Sequence, residues 1–190
     1  MSGVPKASSS GQPRAWSPDQ LAQIEQILSR YPTKKAAVMP LLWLAQETWG
    51  WIDLESMRLI ARTLELPPSH VHSVASFYTM FKKQPTGKYF IQVCHTLSCA
   101  LVGANKIIAH LEKTLQVDEH GNSADGLFTI LRVECLAACG SAPMAQINDD
   151  FYERLTPESV DQIIAAFRAG KVPPQPYVSE WVHPVAGARA

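Results

Sequence analysis

Four cysteines constrain this chain of 190 residues more than any other feature. Cys94 and Cys99 are separated by four residues, Cys135 and Cys139 by three, and 35 residues lie between the two pairs. The number is too small for a disulfide scaffold in a chain of this length, and no Cys-x-x-Cys supports thiol–disulfide exchange. Four buried free thiols or two disulfides are the plain alternatives, since cysteine is a common core residue. Random placement, however, would not confine all four to two short segments rich in small residues: Ser98 and Ala100 in the first, and Ala137, Ala138, Gly140, Ser141 and Ala142 in the second. Each pair also begins where a strand-like segment ends. If those strands are neighbours, both segments emerge at one edge of a sheet and four sulfurs meet there. That arrangement suits a metal centre, and thiolate softness alone admits either a [2Fe–2S] cluster or structural zinc. Spacing separates them only in part. Zinc ribbons favour tighter turns, which fits Cys135 and Cys139, whereas the gap from Cys94 to Cys99 is slightly long for zinc; the plant-type and bacterial ferredoxin runs are also absent.

The rest of the chain reads as two folded units between two tails. Residues 1–16 combine Pro, Gly and Ser with no apolar run, and the expectation is a disordered tail without a secretory signal. Ser17-Pro18-Asp19-Gln20 is a helix start, with Ser as cap, Pro at the first helical position and Gln closing a capping box. Leu21, Ile24, Ile27 and Leu28 follow at helical spacing. A second helix is predicted over 34–48, kinked or delayed by Pro40, a third is capped by Asp53, and a fourth runs over 69–78 after Pro67-Pro68. Residues 17–85 thus form a small helical bundle. From residue 86 the character changes. Lys88 to Val93 reads as a strand ending at Cys94, a helix is predicted over 99–115, and Leu127 to Val133 is a second strand leading to Cys135. Segments 143–148 and 151–155 flank Asp149-Asp150 as a hairpin, and Thr156-Pro157 starts a last helix ending near Gly170. The first two strands require a crossover and so a parallel pairing, while the last two can pair antiparallel. Residues 86–170 therefore read as a small α/β sandwich, and the proline-rich stretch 171–190 as an extended arm.

Composition excludes several functions. With 17 basic and 17 acidic side chains the formal net charge is zero, so no whole-molecule field steers the chain to nucleic acid or to anionic lipid. No apolar run approaches the roughly 20 residues of a membrane helix. The sequence lacks Gly-x-Gly-x-x-Gly, a Walker loop and a convincing nucleophile with a base, and so shows no catalytic site and no dinucleotide site of its own. His95 beside Cys94 reads as a surface group, since a Rieske centre needs two histidines with two cysteines. His70 and His72 read as helix-surface groups, Trp43, Trp49 and Trp51 as core or interface anchors, and Pro143 as a trans turn proline, with a cis proline beside the second cysteine loop as the alternative.

The stretch Val133-Glu134-Cys135-Leu136-Ala137-Ala138-Cys139-Gly140-Ser141-Ala142-Pro143-Met144-Ala145-Gln146-Ile147-Asn148-Asp149 resembles the second cysteine motif of the thioredoxin-like [2Fe–2S] ferredoxin subunit of respiratory complex I, NADH:quinone oxidoreductase. Gly50-Trp51, Ala75-Ser76-Phe77-Tyr78 and the spacing to Cys94 and Cys99 extend the resemblance over about residues 17–170. It implies an α+β chain in which a helical bundle precedes a thioredoxin-like ferredoxin domain. It also implies one [2Fe–2S] cluster per chain, with Cys94 and Cys99 on one iron and Cys135 and Cys139 on the other. The implied role is one-electron transfer to and from the FMN of an adjacent, NADH-oxidising flavoprotein subunit, with the large iron–sulfur subunit as a second partner. FMN and NADH belong to the flavoprotein rather than to this chain. The implied location is peripheral, on the cytoplasmic face of a bacterial inner membrane or the matrix side in a eukaryote. Family members commonly carry Gly where Ala137 stands, which is expected to shift the potential and keep the site. The same module serves NAD-linked formate dehydrogenases and hydrogenases, and a zinc-stabilised interaction module is the reading from a different class.

Overall fold

The computed structural model describes residues 13–171 and Pro173. The chain divides between Thr86 and Gly87 into two compact units, each with its own core.

The first unit is built from four helices. Helix α1, Pro18–Leu28, starts at the capping box: Ser17 accepts from the Gln20 N–H and the Gln20 side chain accepts from the Ser17 N–H. Pro40 delays the second helix, because proline is tolerated only in a first turn. Lys34–Ala37 forms a 3₁₀ turn and α2 runs Val38–Trp49, stopped by Gly50 at φ 82°. Helix α3, Leu54–Leu64, is capped by Asp53, whose Oδ1 accepts from the Ser56 N–H at 2.7 Å. Helix α4 is Pro68–Phe77. Leu41, Leu42, Ile52, Ile60, Leu64, Val71 and Phe81 are buried in one shared core.

The expected tail needs correction at its end. Residues 1–12 lie outside the described part, but Arg14 and Trp16 are packed. The Arg14 guanidinium donates to Asp53 Oδ2 at 2.8 Å in a buried ion pair. Trp16 stacks on Trp49 at 5.1 Å and donates its indole N–H to Thr63 at 2.9 Å. Composition does not register such a tie, since one arginine and one tryptophan suffice to hold four residues. Most of the expected C-terminal arm, Val172 and residues 174–190, also lies outside the described residues.

The second unit is a four-stranded sheet in the order β2-β1-β3-β4. Strands β1 (Tyr89–Cys94) and β2 (Phe128–Val133) run parallel, with Tyr89 opposite Phe128 and Cys94 opposite Val133. Strand β3 (Ala145–Ile147) is antiparallel to β1, and β4 (Asp150–Tyr152) to β3. Between β1 and β2 the chain forms α5 (Leu97–Leu101) and α6 (Ala104–Leu115); α7 (Pro157–Arg168) closes the domain from a Thr156 cap. Ile107, Ile108 and Leu111 of α6 and Val160, Ile163, Ile164 and Phe167 of α7 share a core with Tyr89, Ile91, Val93, Phe128, Ile130 and Tyr152. The helices thus supply the apolar stripe and alternate strand residues the facing layer. The single helix expected over 99–115 is two, because Gly103 sits at φ 102°, a conformation that halts a right-handed helix and admits little but glycine.

Candidate metal centre

Parallel pairing of β1 and β2 decides where the cysteines lie. Both strands run the same way and end level, so the segments that follow them leave the sheet at one edge. Cys94 is the last residue of β1, Cys99 lies in α5, Cys135 follows β2 by two residues, and Cys139 opens a 3₁₀ turn, Cys139–Ser141. Cys94 and Cys99 are buried, and Cys135 and Cys139 are exposed. The buried pair packs with Ala104 and Met144 in a small apolar cluster, with Leu136, Ala138 and Ala142 against it.

The sulfurs occur as two facing pairs. Cys135 Sγ and Cys139 Sγ stand 3.4 Å apart. The charge of Cys139 is felt at Cys99, and that of Cys94 at Cys139, so each pair lies in the other's field. Among the described residues no group of three His, Cys, Asp or Glu side chains could hold one metal ion together. Hydrogen-bond donors surround the sulfurs. The Ala137 N–H donates to Cys135 Sγ at 3.3 Å, and the Thr96 hydroxyl lies 3.3 Å from Cys94 Sγ. Burial alone would raise the Cys94 thiol, but hydrogen bonds from Thr96, Cys99 and the Leu136 backbone outweigh it and bring the pKa below the ordinary value. Cys99 is pushed up to about 11, first by burial and then by the Cys94 sulfur beside it. Cys139 is raised by its neighbour Cys135. Thiols pushed up by nearby sulfurs give up their protons when a cation arrives among them, so loading this site releases protons.

Several details were hidden from the sequence. Ala137 is at φ 65°, the left-handed region in which successive backbone N–H groups turn toward an anion. The Ala142–Pro143 peptide is cis, correcting the trans expectation. Backbone bonds from Arg154 N to Ser141 O at 2.8 Å and from Leu155 N to Pro143 O at 2.9 Å fix both sides of that peptide. The sequence reading missed both Thr96 and Met144, whose places beside the sulfurs come from tertiary packing. Among the other candidates, His95 faces Glu134 at 3.7 Å on the surface, and His72 lies 3.5 Å from the Ser76 hydroxyl of α4. A hollow of about 520 Å³ occurs in the helical unit, lined by Trp51, Ile52, Leu54, Met57 and Lys83 among others but by none of the cysteines.

A thioredoxin-like sheet with two facing cysteine pairs at one edge defines a class of iron–sulfur proteins, and residues 24–168 match that class as a family, the thioredoxin-like [2Fe-2S] ferredoxins. The chain belongs to this family. Among its relatives, an NADH-quinone oxidoreductase subunit from Rickettsia bellii is 41% identical over 151 residues, covering 78% of this chain and 90% of that protein. An NADH-quinone oxidoreductase subunit from Thermus thermophilus is 42% identical over 151 residues, covering 78% and 83%. Of solved structures, an NAD+-reducing [NiFe]-hydrogenase in its H2-reduced state aligns with a TM-score of 0.60 at 23% identity, over 74% of this chain and 24% of the hydrogenase chain. At that identity the likeness is one of fold.

Proposed function

We propose that this chain is the one-electron carrier subunit of an NADH-quinone oxidoreductase, and that Cys94, Cys99, Cys135 and Cys139 together hold one [2Fe–2S] cluster. The observation that carries the proposal is the pairing of the sulfurs. Two thiolates on each side suit two irons, Cys94 and Cys99 on one and Cys135 and Cys139 on the other, whereas structural zinc needs four sulfurs converging on one ion. When bound, such a cluster supplies single-electron redox chemistry. The chain's own residues set the conditions for it. Ala104, Met144 and Leu136 keep water from Cys94 and Cys99, and the Ala137 N–H and Thr96 hydroxyl stabilise sulfur charge. Residues 86–170 carry ten acids against six bases, so local charge opposes an added electron and these donors work against that opposition. Cys135 and Cys139 remain open to a partner, with Leu97, Leu101 and Val102 of α5 and the turn after it exposed in the same unit.

The electron partner in this reading is an FMN-holding subunit that takes hydride from NADH, with a large iron–sulfur subunit as second neighbour. Among the described residues no helix is long and apolar enough to cross a membrane, in keeping with a peripheral position on the cytoplasmic or matrix side. The names of the relatives at 41% and 42% identity favour the quinone-linked complex over a formate dehydrogenase or hydrogenase.

The test is an EPR spectrum of dithionite-reduced, anaerobically purified protein, with iron, sulfide and zinc measured on the same sample. An S = 1/2 signal with two irons and two sulfides per chain is expected. EPR silence with one zinc per chain would overturn the reading in favour of a structural zinc module. Cys135→Ser is expected to abolish or strongly perturb the signal, and an unchanged spectrum would remove Cys135 from the ligand set.

A further inference from the structure

The four cysteines differ in what can reach them. Cys94 is 2% exposed and Cys99 1%, and both are packed among Ala104, Met144, Leu136, Ala138 and Ala142. Cys135 and Cys139 are open at the surface, and so are Ala137 between them and Gly140 after them. A Cβ added at Gly140 would meet nothing within 4 Å, so the approach to Cys139 is clear. A small oxidant therefore meets the second pair and is kept from the first, because oxidation of thiols follows their exposure.

The exposed sulfurs are also held together. Their Sγ atoms stand 3.4 Å apart, and the Ala137 N–H donates to Cys135 Sγ and fixes it there. Residues 135–138 belong to no helix or strand, so small rotations bring the two sulfurs to bonding distance without disturbing the sheet. Only three residues lie between the two cysteines. An exposed disulfide closing so short a loop is a labile one that a dithiol reopens.

We propose that Cys135 and Cys139 are a reversible oxidation site of the metal-free chain, in which hydrogen peroxide joins them as a disulfide, leaves Cys94 and Cys99 as thiols and shuts the centre to metal until a dithiol reopens it. The proposal rests on the ligand set given above. One thiol sulfur attacks the peroxide, the O–O bond breaks, and a sulfenic acid and one water form. The second thiol attacks that sulfur, the S–O bond breaks, the hydroxyl leaves with the thiol proton as a second water, and the S–S bond forms. Two electrons pass from the two thiols to the peroxide. Two of the four sulfurs are then lost to metal binding. Metal already bound engages both exposed sulfurs and blocks the reaction, so the pair is open to oxidation only before loading.

The test uses the full chain, reduced and stripped of metal. Iodoacetamide is expected to label Cys135 and Cys139 at least about tenfold faster than Cys94 and Cys99. One equivalent of hydrogen peroxide is expected to give a single disulfide, between Cys135 and Cys139, located by peptide mass spectrometry. Cadmium affinity, followed by thiolate absorbance, is expected to fall at least about tenfold in the oxidised chain and to return after dithiothreitol. A chain loaded with cadmium beforehand is expected to form no disulfide at the same dose. A first disulfide that includes Cys94 or Cys99, equal labelling of all four thiols, or undiminished cadmium affinity after oxidation would each overturn the proposal. The ligand reading fails on a different measurement, the S = 1/2 signal with its iron and sulfide count, and its failure would leave the disulfide chemistry standing.

Discussion

At the scale of single residues, Ala137 pays for its position. A non-glycine residue in the left-handed region costs roughly 1–2 kcal/mol, and Ala137 stands there at φ 65° while its N–H reaches Cys135. Ala137→Gly removes the clash at some cost in unfolded-state entropy, and is expected to stabilise the holoprotein by about 1 kcal/mol in denaturant titration with the sulfur hydrogen bond kept. Tyr152 offers a second case. Its hydroxyl is buried without a hydrogen-bond partner, and burial, with Asp150 nearby, raises the phenol to about 12. Because an unsatisfied buried hydroxyl costs about 1–3 kcal/mol, Tyr152→Phe is expected to leave stability unchanged or raise it by about 1 kcal/mol in the same titration. Asp53 responds to pH. Burial alone would raise its pKa, but hydrogen bonds from Arg14 and Ser56 outweigh burial and hold it below the ordinary 3.8. A carboxyl depressed on folding stabilises above its unfolded pKa, and that contribution fades as pH falls through the folded value. The helical unit is therefore expected to lose stability below about pH 3.8, and Asp53→Asn, which keeps the cap, to flatten that dependence while costing about 3 kcal/mol at neutral pH. Far-ultraviolet circular dichroism against pH checks both.

At the scale of elements, sequence reading succeeded where one local signal fixed one boundary. Ser17 with Gln20, Asp53, and Thr156 before Pro157 each mark a helix start through an oxygen placed to accept a backbone N–H, and α1, α3 and α7 begin there. It fell short where a residue's backbone angle mattered more than its pattern. Apolar spacing continued from Leu101 to Leu111 and gave one helix over 99–115, whereas Gly103 at φ 102° separates α5 from α6. The left-handed turn at Ala137 was hidden for the same reason, and the cis peptide before Pro143, weighed against a trans turn, is set by the fold rather than by pattern. The four cysteines stood out in the sequence because metal chemistry restricts both residue type and spacing, and their ligand role belongs to the proposal. Their surroundings, Thr96 and Met144, come from tertiary packing and carry no such signature. Gly103→Ala should therefore cost about 1–2 kcal/mol, read by thermal denaturation, and should loosen Cys99 through α5, read as a broadened EPR signal. An unshifted melting temperature would mean that the break tolerates a side chain.

At the scale of the whole molecule, two cores divide the stability. The helical core around Leu41 and Phe81 contains no cysteine, whereas the core of residues 87–170 lies in the same unit as all four. Removing the metal by chelation leaves several thiols to be accommodated in a unit that folded around their bound form. Hydrogen exchange of the stripped protein is expected to show lost protection in β1, β2 and α6 while α2 and α3 keep theirs, and uniform loss across both units would show that the two cores melt as one. The parallel register of β1 and β2 carries a consequence for how the protein is made. Cys94 and Cys99 are synthesised first, and until the ribosome has delivered β2 and the crossover has packed, they have no counterpart across the sheet edge. On the proposed ligand set, half a binding site must wait, reduced and unoccupied, for the other half. Cofactor delivery in the cell then belongs after synthesis of the whole domain.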